Sequence, residues 1–122
     1  MATFGTVSRG WKIFFWLAAI FNFLIGSAGM FVPEATIDAR IVGLLVFGMG
    51  IVYMQVARDP LRFAPTLWAG VVGKLGVVAL LGPQAIGPEG EALIVGILAC
   101  DALFAIAFLA FLLTKAEAAP VK

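Results

Sequence analysis

Long apolar runs alternate with short polar breaks along this chain. Four runs stand out, at about 13–32, 41–57, 63–82 and 92–114. A helix needs about 20 predominantly apolar residues to cross a hydrocarbon layer roughly 30 Å thick. The second run is the shortest and reaches full length only by extending back through Ala39. The breaks carry helix-ending residues: Pro33-Glu34, then Arg58-Asp59-Pro60, then Gly82-Pro83 with Gly87-Pro88-Glu89-Gly90. Proline cannot continue a helix and biases the residue before it towards extended backbone. Within the runs apolar residues do not alternate with polar ones, which excludes barrel strands. They are apolar all round, unlike a helix lying on a membrane surface. The pattern predicts an all-α polytopic membrane protein, an up-down bundle of four transmembrane helices forming one domain over 1–122.

Composition narrows the function classes. Of 122 residues, 63% are hydrophobic and 12% charged, against roughly 25% charged in a soluble domain. A disordered chain and a nucleic-acid binder are excluded, and lipid is the expected solvent. The single cysteine, Cys100, leaves no intrachain disulfide. The absence of histidine removes the commonest metal ligand and the default general base. No paired carboxylates, Cys/His arrangement or phosphate-cradling loop is present, and Gly70-Val71-Val72-Gly73-Lys74 sits inside an apolar run. The chain therefore reads as a non-enzyme with no cofactor and no metal site. The first run has basic flanks and the small residues Ser27-Ala28-Gly29. Its apolar stretch exceeds the 7–15 residues of a secretory leader, so it reads as a signal anchor retained as helix one.

Charge sets the expected orientation. Four spans leave both termini on one side. That side would carry Arg9, Lys12, Arg58, Arg62, Lys115 and Lys122, whereas the other carries Arg40 with Glu34, Asp38, Glu89 and Glu91. An excess of Lys and Arg marks the cytoplasmic side, which predicts a bacterial inner-membrane protein with N and C termini in the cytoplasm. Trp11, Trp16, Tyr53 and Trp68 fall near the same boundary, where amphipathic rings prefer to sit.

Two full charges lie deep in the apolar runs, Lys74 in the third and Asp101 in the fourth. Each costs roughly 2.5–3.5 kcal/mol near the bilayer centre, so a partner is expected. At a rise of ~1.5 Å per residue both sit about 12–13 Å below the outer edge. A salt bridge across the hairpin is plausible on that depth alone. Side chains tilt towards their helix N-terminus, which would send the two heads apart by several ångströms. A bridging water, or Asn22 at a similar depth in the first run, offers Lys74 an alternative. A buried cluster of Lys74, Asp101 and Asn22 that fixes helix register competes with a partner-subunit contact and with an ion or ligand pathway.

Small residues mark expected packing faces. Gly70, Gly73 and Gly76 recur every three residues, and Ala92, Gly96 and Cys100 every four. Such residues let membrane helices approach closely, within the bundle or against a partner. The turn Arg58-Asp59-Pro60-Leu61-Arg62 is the most distinctive polar segment. Asp59-Pro60 is a cap-and-start signal for the third helix, and Arg58 and Arg62 suit lipid phosphates or a docking contact. The outer segment 33–40 is expected to form one interfacial turn, with Glu34, Asp38 and Arg40 solvated.

Taken together, Trp11, Asn22 and Gly26, Pro33-Glu34, Gly48, Tyr53, Ala57-Arg58-Asp59-Pro60, Gly70 and Gly73-Lys74 resemble a loosely defined group of small bacterial four-span membrane proteins with no assigned activity. Small multidrug transporters are similar in size and span count but depend on an acidic residue in their first helix; 13–32 contains no Asp or Glu. The leading expectation is a non-catalytic accessory subunit of a membrane complex. Its partners would be membrane lipids and other integral membrane subunits or further copies of itself. One rival is a small oligomeric transporter or channel using Lys74 and Asp101. Another is a lipid- or quinone-binding protein with a groove near Trp16, Tyr53 and Trp68.

Overall fold

The computed structural model describes residues 7–116. Those residues are almost entirely helical, with no strand among them. Four helical runs are long and apolar enough to cross a membrane: Arg9–Phe31, Ile37–Arg58, Pro60–Ala85 and Ala92–Lys115. The termini, with Lys122, lie outside the described residues.

Helix α1 spans Arg9–Phe31 and starts at Ser8, whose hydroxyl accepts the Trp11 N–H. It ends where Pro33 demands it. Val32 has the extended ψ of 127° imposed on a residue before proline, and its N–H bonds the Ala28 carbonyl. Helix α2 spans Ile37–Arg58. It therefore begins earlier than the apolar run: residues 37–40 form the first turn of α2, and no separate interfacial helix stands over 33–40. Thr36 caps it by accepting the Ala39 N–H at 3.1 Å. Asp38 sits in the first turn, where a carboxylate suits the positive end of the helix dipole. Polar residues at 38 and 40 thus begin a helix rather than populate a loop.

Asp59 links two helices. Its N–H bonds the Gln55 carbonyl to finish α2, and its own carbonyl accepts the Phe63 N–H at 3.1 Å. Helix α3, Pro60–Phe63, opens with proline at its first turn, although the Asp59 side chain makes no capping bond. Pro65 lacks an N–H for the helical ladder, and Ala64–Thr66 tighten into a 3-10 turn. Helix α4 follows over Leu67–Ala85. It runs through Gly82-Pro83, where the sequence predicted its end. A proline in the last turn forfeits one hydrogen bond, and Ile86 still closes the helix onto the Gly82 carbonyl at 3.0 Å. Helix α5, Ala92–Ala110, passes into a π-helical turn over Phe111–Ala116.

The chain divides into two compact units, with the boundary between Ala64 and Pro65. In the first, α1 packs along α2 as an antiparallel hairpin; in the second, α4 packs along α5. Glycine governs the first hairpin. A Cβ on Gly26 would lie 2.6 Å from the Gly43 carbonyl oxygen and 2.5 Å from the Phe47 nitrogen. A Cβ on Gly43 would lie 2.7 Å from the Gly26 carbonyl oxygen. The backbones meet there because neither residue carries a side chain. Beside the crossing the Phe23 and Phe47 rings pack at 4.8 Å. In the second unit the turn 86–91 folds tightly: Gly90 leaves no room for a Cβ against the Ala85 backbone.

Candidate functional site: an intramembrane ion pair

Lys74 lies near the middle of α4, and Asp101 lies at a matching depth on α5. Lys74 Nζ donates to Asp101 Oδ1 at 2.6 Å. Both side chains are largely withdrawn from solvent, at 6% and 13% exposed. The offset expected from side-chain tilt does not keep the heads apart, since a four-carbon stem is long enough to span it. The pair is therefore direct.

Phe104 completes the site. Lys74 Nζ stands 5.2 Å from the centre of its ring, within the range of a cation–π contact. Phe108 stacks on Phe104 at 6.2 Å. Asp101, Phe104 and Phe108 are three and four residues apart, so one stripe of α5 presents a carboxylate and then two rings. The spacing was visible in the sequence, but nothing there marked Phe104 as different from the other phenylalanines of 92–114.

Asn22 is buried in the first unit at 5% exposed. Its amide donates to the Val46 carbonyl of α2 at 3.0 Å. The close approach at Gly26 and Gly43 brings that carbonyl within reach. Asn22 thus ties α1 to α2, while Lys74 and Asp101 tie α4 to α5.

The expected packing glycines behave differently. Gly70 is buried. A Cβ at Gly73, Gly76 or Gly96 would meet nothing within 4 Å, and Cys100 is exposed. Close packing inside the chain is carried by Gly26 and Gly43 instead. There the facing backbones leave least room for a Cβ; at Gly29 and Gly50 on the same seam it would stand slightly further from the facing backbone, at 3.2 Å.

Arg40 corrects a second expectation. It is not simply solvated. Its guanidinium donates to the Met30 carbonyl, and to the Val32 and Pro33 carbonyls at 3.4 Å. The Met30 carbonyl is one of the last-turn acceptors of α1 that the helix itself leaves open, the other two belong to the turn that follows it, and a cation there also suits the negative end of the helix dipole. In the 58–62 turn, Arg58, Asp59 and Arg62 are exposed, and the Arg62 guanidinium rests 5.1 Å from the Phe63 ring centre. Tyr53, expected at the membrane boundary, is 1% exposed and belongs to the core; Trp16 and Trp68 are 40% and 47% exposed.

Among the described residues no group of three or more His, Cys, Asp or Glu is placed to hold a metal. Comparison with family models, with curated proteins and with solved structures finds no match to this chain.

Proposed function

We propose that this chain is a non-catalytic subunit of a bacterial inner-membrane assembly and binds its partners through α4 and α5. The observation that carries the reading is the contrast between glycines. Gly26 and Gly43 are consumed in a backbone contact, whereas a Cβ at Gly73, Gly76 or Gly96 meets no described residue of the second unit within 4 Å. Small residues on a membrane helix are useful where another helix comes close, and no described residue of the second unit occupies those places. The ion pair supports the same reading. Lys74 and Asp101 neutralise each other, which suits a register-fixing contact more than a charge kept ready for a moving ion.

Purification through a tag on this chain, in mild detergent, tests the proposal by size and native mass. The expected result is a stoichiometric integral-membrane partner that is lost in Gly73→Ile and Gly96→Ile. Thermal unfolding of the chain itself should stay unchanged, because a Cβ at either position meets no described residue of its own unit within 4 Å. A lone monomer in the unmodified protein overturns the reading.

The rival is a small oligomeric transporter in which Lys74 and Asp101 line a pathway. One observation favours it: an intramembrane charge pair is a functional candidate by default, and Asp101 keeps 13% of its side chain exposed. It requires ion or solute flux in proteoliposomes, abolished by Asp101→Asn with the assembly intact. Absence of flux from the unmodified protein removes it.

A further inference from the structure

The contacts between α1 and α2 fix an antiparallel register. Gly29 faces Gly43, Gly26 faces Gly43 and Phe47, and Gly50 faces Phe23 and Ala19. Continued to the end of α2, that register sets Ile13 level with Arg58; Arg9 and Lys12 lie in the turn of α1 beyond it, and Arg62 follows four residues after Arg58, in α3. Four cations from α1, α2 and the short α3 therefore gather at one end of the first unit. Arg9, Lys12, Arg58 and Arg62 are all exposed, and none makes an ion pair with a described residue. One carboxylate, Asp59, stands among them. The first turn of α1 contains no acidic residue either. Immediately below lies apolar surface, with Ile13 51% and Trp16 40% exposed.

We propose that this end of the α1–α2 hairpin holds an anionic phospholipid, its headgroup phosphate between Arg9, Arg58 and Arg62 and its acyl chains along Ile13 and Trp16. The occupant is argued from charge and layering together. The cations sit at the end of a membrane-length helix pair, and uncovered apolar surface begins directly beneath them. A soluble anion matches the charge but leaves Ile13 and Trp16 uncovered. An amphiphile with a negative head matches both. The guanidinium is suited to phosphate because its planar donors can bind two oxygens at once. The Phe63 ring under Arg62 holds that cation at the site.

The test is native mass spectrometry of the full chain in neutral detergent, titrated with phosphatidylglycerol, with phosphatidylcholine, and with inorganic phosphate. The expected result is one retained phosphatidylglycerol at saturation and at least tenfold weaker retention of phosphatidylcholine. A basic side chain near an anionic lipid surface is worth roughly a factor of five in binding. Arg9→Gln with Arg62→Gln should therefore weaken phosphatidylglycerol binding about 25-fold, whereas Lys115→Gln should leave it unchanged. Both substituted positions are exposed, so thermal unfolding in phosphatidylcholine should match the unmodified protein and serves as the folding control. Equal retention of the two lipids, competition by inorganic phosphate at low millimolar concentration, or unaltered binding in the double variant would each overturn the proposal.

Discussion

A charge in hydrocarbon needs company, and the two residues that most disturb this chain's apolar runs supply it to each other. Breaking a buried ion pair by removing one member costs about 3–5 kcal/mol, while replacing both with neutral groups of similar size is often close to neutral. Lys74→Met and Asp101→Asn are therefore each expected to lower the midpoint of thermal unfolding in detergent markedly, and the double variant to recover most of the loss. A double variant as unstable as the worse single one would show that the pair is not the unit. Arg40 presents a different case. Its donors reach carbonyls of Met30, Val32 and Pro33, so Arg40→Ala should destabilise the first hairpin by about 1–2 kcal/mol, judged by hydrogen bonds to a charged group. Arg40→Lys should recover part of that, since an ammonium cannot span three acceptors as a guanidinium does; urea unfolding in micelles reads both. Lys74 and Asp101 were legible in the sequence because charges are scarce there. The roles of Arg40 and Phe104 were not. Each depends on a partner whose position is set by folding: the carbonyls at the end of α1 for one, the lysine head for the other.

At the scale of helices, two backbones touch where the sequence offers nothing bulkier than glycine. Gly26→Ala would push a methyl group against the Gly43 carbonyl and the Phe47 nitrogen. Neither is a flexible side chain that can swing aside, so the helices must separate. Overpacking of this kind costs typically 1–3 kcal/mol. The expected readout is a lower unfolding midpoint and faster backbone hydrogen exchange in α1 and α2, with α4 and α5 unaffected. Gly73→Ala is the control and should leave the midpoint unchanged or raised, since alanine favours helix and meets no described residue of its unit. Existence and order of the long helices were readable from run length and proline alone. The boundaries moved where local chemistry outweighed hydropathy. Thr36 begins α2 among polar residues, and α4 carries on past Pro83 because a last-turn proline loses so little. Which glycines would be crossings was not readable. Gly26 and Gly73 look alike in sequence and differ only in what lies opposite.

For the molecule as a whole, the asymmetry of charge is the feature most open to experiment. In Cys100→Ser, single cysteines placed at Glu34 or Glu89 should react with a membrane-impermeant thiol reagent applied from outside the cytoplasmic membrane. One placed at Arg62 should not react until the membrane is permeabilised. The opposite pattern would invert the orientation inferred from the basic residues. The general character of the chain was evident from its apolar content and the four runs. The division into two helical hairpins was not, because it depends on which helix pairs close against each other.

The lysine–aspartate link also has a consequence in time. Asp101 is 27 residues downstream of Lys74, and synthesis proceeds at about 5–20 residues per second. For roughly one to five seconds the third segment has left the ribosome with its cation unanswered. Until its countercharge emerges, that segment is a poor lodger in hydrocarbon. Helices α4 and α5 should therefore enter the bilayer together, with the translocation machinery sheltering one until the other arrives.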